Sequence, residues 1–222
     1  MRETEFVSLN RKVAWDSIRY FFDGYLYWTV TLITEKEDLE QAYRLRGRFF
    51  GEVLKWIDTD TEKGDVDKYD SGAIHFGVFE KRNLIAYSRL IPGTQQFMLE
   101  DDLIEMINGV EIRKGNNIAE ISRLVIAENL SRSLKGNIAQ AFLYRKMYRW
   151  AVEKGIQYWY IVVTPKYFEK LAEYFGFEQI APTHTFGNGD SAVVGLLNLR
   201  QAERHLKKNN WLALKWYSGI FA

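Results

Sequence analysis

Ala119-Glu120-Ile121-Ser122-Arg123-Leu124-Val125-Ile126 has the aliphatic, β-branched content of a buried strand, yet its first half carries an acid, a hydroxyl and a base. Taking an acid and a base out of water costs several kcal/mol per ion unless each finds a partner. A strand that tolerates this is either paired internally or lined up on a substrate.

The segments around it alternate between strand and helix. Upstream, Tyr25 to Ile33 is aromatic and β-branched and reads as a strand. Thr34-Glu35-Lys36-Glu37 has the spacing of a capping box and predicts a helix start. Leu39, Tyr43, Arg46, Phe50, Val53 and Leu54 follow at three- and four-residue steps, one face of a helix. Arg46 thus falls inside the apolar stripe, where an arginine ordinarily snorkels to the edge. The run from Trp56 to Asp70 is acidic, and its first part, Asp58 to Glu62, reads as a solvated loop without the spacing of a calcium-binding hand. Ala73–Glu80 and Leu84–Ile91, joined by Lys81-Arg82-Asn83, predict a hairpin, and Phe97–Gly109 one or two short helices.

Downstream, a polar segment from Glu128 to Gly136 leads into a long helix that Gly155 stops. Ile138, Phe142, Leu143, Met147, Trp150 and Ala151 form its inner face; Arg145, Lys146, Arg149 and Lys154 are assigned to the outer one. Ile156–Val163 is an aromatic strand, Thr164-Pro165 opens a helix that closes at Gly176, and Phe177–Ile180 and Ser191–Leu199 are final strands around the loop Thr183–Asp190. Asn198–Ala222 reads as one C-terminal helix docked on the domain. Residues 1–24, ended by Asp23-Gly24, have weak helical spacing and read as an extra amphipathic helix packed on the domain, or as a partner surface. The series predicts one α/β domain over residues 1–222, a mixed central sheet sandwiched by helices.

Composition narrows the function classes. With 222 residues, 47% apolar and 27% charged, the chain is that of a soluble globular protein. A net charge of +1 argues against a general nucleic-acid binder. The absence of cysteine excludes disulfides, thiolate metal sites and a cysteine nucleophile, and fits a reducing cytoplasm. No signal peptide or membrane span is legible. Dinucleotide and phosphate-loop fingerprints are missing, and His75, His184 and His205 lack metal-ligand spacing, so no metal is expected.

Arg46, Phe50, Trp56, Asp67, Asp70, Arg89, Glu120 and Arg123 stand in an order that closely resembles the LuxI-type autoinducer synthases, which make N-acyl-homoserine lactones. Arg89-Leu90-Ile91-Pro92 before Phe97-Met98-Leu99, and Ala192-Val193-Val194-Gly195-Leu196-Leu197, are similar as well; the likeness runs from Tyr25 to Leu199. Glu120-Ile121-Ser122-Arg123-Leu124 and Leu143-Tyr144-Arg145-Lys146-Met147 also resemble the sister N-acyl amino acid synthases. The residues before Tyr25 lie outside both patterns. The resemblance implies a GNAT-like acyltransferase sandwich with helices on both faces. It also implies an acyl-carrier-protein thioester as donor, S-adenosylmethionine as the amine acceptor, and no further cofactor. The alternative is a free amino acid acylated without lactonisation; a non-catalytic module holding a carrier or a nucleotide is a third reading.

On that resemblance Glu120 is the candidate base, with Ser122 and Arg123 beside it. Positions 120 and 123 share a cleft only if a bulge intervenes, and a bulge would also free peptide N–H groups for an oxyanion; an irregular strand near Ser122 is therefore expected. Arg46 would grip the acceptor carboxylate, and Phe50 and Trp56 would face its sulfonium or adenine. Asp67 and Asp70 would orient Arg46, Arg89 and Arg123. Tyr158, Trp159, Tyr160, Val162 and Phe168 would wall the acyl slot, with Tyr160 limiting chain length. Arg132, Lys135, Arg145, Lys146 and Arg149 would form a basic surface for the acidic carrier protein.

Overall fold

The computed structural model describes residues 17–22, 26–58 and 63–218. Its strands are β1 (Ser17–Phe22), β2 (Leu26–Ile33), β3 (Ile74–Glu80), β4 (Asn83–Pro92), β5 (Ile118–Ile126), β6 (Tyr158–Val163), β7 (Glu178–Gln179), β8 (His184–Thr185) and β9 (Ser191–Asn198). Its helices are α1 (Lys36–Arg46), α2 (Leu134–Glu153), α3 (Pro165–Phe175), α4 (Leu199–Asn209) and α5 (Trp211–Ser218). The strands form one sheet in the order β1-β2-β3-β4-β5-β6-β9-β7, with β8 paired to β9. All neighbours are antiparallel except β5 and β6.

That parallel pair organises the molecule. Its ladder runs only from Ile118↔Tyr158 to Ile121↔Ile161. Beyond it β5 continues to Ile126 along β4, while β6 continues to Val163 along β9. The two strands therefore part, and residues of both border a cavity of about 1050 Å³. The expected irregularity is present on β5. Arg89 pairs with Ser122 and Tyr87 with Val125, so Arg123 and Leu124 oppose a single residue, Ser88. Arg123 takes a left-handed φ of 55°, a conformation an arginine adopts only where its surroundings hold it there.

Helices cover both faces. On one side α2 packs Phe142, Leu143 and Met147 over β2, β3 and β4, and α3 brings Phe168 and Leu171 into the same core beside β9. On the other, α1 and the turn after it pack Ala42 and Phe50 against Ile33, Phe79, Tyr87 and Val125. Close approach of α3 requires Gly195 on β9, where a Cβ would stand 2.7 Å from the Phe168 ring.

Four readings from sequence need correction. The described part of residues 1–24 is not helical: Ser17–Phe22 is an edge strand on β2, consistent with its run of β-branched and aromatic residues, while residues 1–16 and 23–24 lie outside the described part. The helix after Thr34 starts where expected, but Glu35 is its N-cap and no side chain caps it. The C-terminal helix is two, broken at Asn210. The basic outer face assigned to α2 is partly an inner one, since Arg145 and Lys146 are buried. Arg145 lies 4.4 Å from the Trp216 ring of α5, so the docked C-terminal helices cover what the period alone placed in solvent.

Candidate active site

The gap between β5 and β6 collects the sequence's candidate residues from three directions. Glu120, Ser122 and Arg123 come from β5, Phe50 and Trp56 from the segment after α1, and Val162 from the end of β6; all border the cavity. Phe50 reaches it because α1 runs directly into a π-helical turn, Gly47–Val53, which rotates the apolar stripe towards β5.

Behind this wall lies a closed network of three arginines and three aspartates. Arg46, fully buried, donates from Nε to Asp65 at 3.0 Å, from Nη1 to Asp70 at 2.6 Å and from Nη2 to Asp67 at 3.4 Å. Arg89, equally buried, bonds both carboxylate oxygens of Asp67 at 2.6 and 2.7 Å, meets Asp70 as well, and donates from Nε to Ser122 Oγ at 2.8 Å. Arg123 completes the set, with Nε 2.7 Å from Asp65 and Nη2 3.2 Å from Asp67. His75 stiffens it from behind: Nδ1 lies 2.7 Å from the Tyr87 hydroxyl and Nε2 3.0 Å from the Asp70 carbonyl. Burial works against every charge here. The surrounding opposite charges still hold Asp67 below its ordinary range and Arg46 and Arg89 above theirs. Burial pushes His75 below its ordinary range, although its bond to the Asp70 carbonyl and the Asp70 charge pull the other way.

This geometry changes the expected role of Arg46. Its three nitrogens are bonded to aspartates and it does not border the cavity, an arrangement suited to positioning its neighbours. Arg123 is the network's guanidinium that borders the cavity, 5.2 Å from the Phe50 ring. Asp67 and Asp70 do lie among Arg46, Arg89 and Arg123. Sequence reasoning missed Asp65 as a member. Its signal was Gly64, where a Cβ would stand 2.3 Å from the Tyr43 carbonyl oxygen and the φ is 74°. That glycine lets the acidic loop approach α1, and Asp65 N bonds Tyr43 O at 3.0 Å.

Glu120 stands apart from the network. It is 1% exposed, forms no ion pair among the described residues, and accepts a long bond, 3.3 Å, from the Leu99 N–H. Burial pushes its pKa up to about 7, although Leu99, Arg89 and Lys114 pull the other way. A carboxyl poised near neutrality at the edge of a cavity can take a proton and return it.

The acyl-slot residues divide. Val162 borders the cavity, as do Trp159, Ile161 and Val163, but Tyr158, Tyr160 and Phe168 do not. Tyr160 packs edge-on against Phe97, and its hydroxyl accepts from the Arg113 N–H at 2.9 Å. Phe168 is spent on Gly195. The cavity instead runs on between α2 and α3 to Tyr144, Tyr167, Phe175 and Tyr217. Of the basic residues expected at a docking surface, Arg132 is exposed at the cavity's border, Lys135 is paired with Glu80 at 2.6 Å, Arg149 is half-buried, and Arg145 and Lys146 are buried.

A sequence-family model described as autoinducer synthase matches residues 29–181, a span that includes every member of this site up to β6. The chain belongs to the autoinducer synthase family. Among curated relatives, the acyl-homoserine-lactone synthase of Aliivibrio fischeri is 25% identical over 169 residues, covering 74% of this chain and 84% of that one. The acyl-homoserine-lactone synthase LasI superposes with a TM-score of 0.70 at 20% identity, covering 78% of this chain and 91% of that one. BjaI, a CoA-dependent acyl-homoserine lactone synthase solved with SAM and isopentyl-CoA, superposes with a TM-score of 0.66 at 19% identity, covering 78% and 82%. These two superpositions establish a shared GNAT-like fold. As an autoinducer synthase the protein is an acyltransferase. No helix among its described residues is long and apolar enough to cross a membrane.

Proposed function

We propose that this autoinducer synthase transfers a fatty acyl chain from an acyl-carrier-protein thioester to the amine of S-adenosylmethionine and then closes the lactone. The observation that carries the reading is Glu120: a buried carboxyl, unpaired by the adjoining guanidiniums, at the point where β5 and β6 separate.

In the first step the amine nitrogen bonds the thioester carbon while Glu120 takes the nitrogen's proton. The oxyanion is met by peptide N–H groups of the bulged stretch Ser122–Leu124, which has no ladder partner on the β6 side. Collapse breaks the carbon–sulfur bond, and the departing thiol receives the proton from Glu120. In the second step a carboxylate oxygen of the methionine bonds the γ-carbon as its bond to the sulfonium breaks, releasing methylthioadenosine. Arg123 holds that carboxylate, and Phe50 with Trp56, whose rings are 6.2 Å apart, faces the sulfonium. The acyl chain lies along Val162, Val163 and Leu124 towards α2 and α3. Arg132, exposed at the cavity's border, meets the phosphate of the donor's phosphopantetheine arm. Both reactants are substrates drawn from the cytoplasm, and the chemistry asks for no further cofactor.

The test is product mass. The protein is incubated with acyl-carrier-protein and acyl-coenzyme A donors, together with S-adenosylmethionine or free amino acids. Methylthioadenosine and an acyl lactone formed from the carrier-protein donor support the proposal. An open-chain N-acyl amino acid, or turnover with coenzyme A donors alone, refutes the acceptor or the donor respectively.

A further inference from the structure

The outer face of α4 carries a feature that the catalytic site does not use. Arg200, Arg204, Lys207 and Lys208 recur at helical steps, and all four are exposed, while Leu199, Ala202 and Leu206 face inward. Immediately after the break at Asn210, Trp211 and Leu212 are 52% and 53% exposed, side by side at the start of α5. The Lys215 ammonium stands 4.4 Å from the Trp211 ring. Residues 199–218 hold five basic side chains and one acid, Glu203, in a chain whose net charge is only +1. Positive charge is thus concentrated on this one helical hairpin, next to two exposed apolar side chains.

We infer that α4 and α5 form a peripheral docking surface for an anionic lipid bilayer. Cations on a helix face are drawn to anionic headgroups, and a neighbouring tryptophan and leucine can enter the headgroup–acyl boundary. An acidic protein would satisfy the charge but leave the Trp211-Leu212 step without its apolar phase. The inner sides of the same helices, through Leu199, Ala202, Leu206, Leu214 and Tyr217, border the far end of the cavity. The surface therefore sits over the apolar end of the path, where a lipophilic acyl group would leave for a membrane.

The experiment is co-sedimentation of the full chain with vesicles of mixed phosphatidylglycerol and phosphatidylcholine, against vesicles of phosphatidylcholine alone. Binding to the anionic vesicles only, weakened by salt, is expected. Reversing Arg204, Lys207 and Lys208 to Glu should lower partitioning about tenfold or more. Trp211→Ser with Leu212→Ser should lower it severalfold with the salt dependence retained. Turnover without vesicles and the thermal transition should be unchanged in both variants. Equal binding to neutral vesicles, no binding to either, or charge-reversed protein that binds vesicles normally but loses affinity for carrier protein would overturn the inference.

Discussion

Arg46 Nη1 and Arg89 Nη1 converge on the same oxygen of Asp70, Arg46 from 2.6 Å, so two buried cations share one carboxylate. Removing that carboxylate as Asp70→Ala leaves both guanidiniums short of a counter-charge in a dry site, and a loss of about 3–5 kcal/mol is expected. Arg46→Lys should also destabilise, because an ammonium cannot span Asp65, Asp67 and Asp70 at once. Urea unfolding checks both. If Arg46 only positions its neighbours, residual Arg46→Lys protein should lose kcat with little change in the acceptor KM. A change confined to acceptor KM would return Arg46 to the substrate.

Glu120→Gln should lower kcat by about 10²–10⁴ while leaving both substrates bound. The same change has a signed effect on stability. Because burial raises the folded-state pKa from 4.5 to about 7, the folded protein holds this proton more tightly than the unfolded chain does. Stability contributed by the protonated acid is complete below pH 4.5 and is lost as pH rises through 7. Above pH 7 the ionised Glu120 costs roughly 3 kcal/mol, so Glu120→Gln should be the more stable protein at pH 8 and no more stable at pH 4. Wild-type kcat should fall below about pH 7. Paired thermal melts and a pH–rate profile read both effects.

How much of this was legible before the structure depends on the range of the interaction. The bulge at Arg123 followed from local logic, since an acid and a base three apart on a strand share a cleft only if the alternation breaks. That the aspartates fall among the arginines was an expectation carried by the family resemblance, and it agrees with the need to neutralise buried charge. What failed was long-range. The periodicity of α2 marks Arg145 and Lys146 as outward, but it cannot say that α5 returns to cover them. Likewise Tyr160 is an aromatic on the right strand, and only the folded chain brings Phe97 and the Arg113 N–H, distant in sequence, to occupy it. Asp65 was hidden among six acids of its loop, distinguished only by the glycine before it.

Trp56 is the most exposed aromatic at the site, 46%, and its indole nitrogen donates to Asp190 Oδ2 at 3.0 Å, tying the segment after α1 to the loop before β9. Its face remains available to a cation. Trp56→Leu should raise the KM for S-adenosylmethionine by roughly 3- to 30-fold, the range of a cation–π contact, with the donor KM unchanged. Asp190→Ala should produce a smaller rise, because it loosens the indole without removing it. Steady-state kinetics with each substrate varied in turn distinguish these outcomes, and equal effects on both KM values would place Trp56 outside the acceptor subsite.

Val162 and Tyr160 lie two residues apart on β6, yet only Val162 borders the cavity. Tyr160 sits where β5 still pairs with β6, opposite Glu120, and its ring is held against Phe97 with its hydroxyl bonded to the Arg113 N–H. Val162 lies one step past the last paired residue, Ile161, where the sheet has opened and both faces of β6 adjoin the gap. Bulk added at 162 therefore projects into the acyl path, whereas change at 160 does not. Val162→Trp should lower kcat/KM for long acyl donors relative to short ones by about tenfold or more, as expected when apolar volume is removed from a pocket. Tyr160→Phe should cost about 1 kcal/mol of stability through its lost bond to the Arg113 N–H and leave chain preference unchanged. A series of donors of increasing length decides the matter, and a shifted preference in Tyr160→Phe with none in Val162→Trp would mean the chain runs past Tyr160 instead.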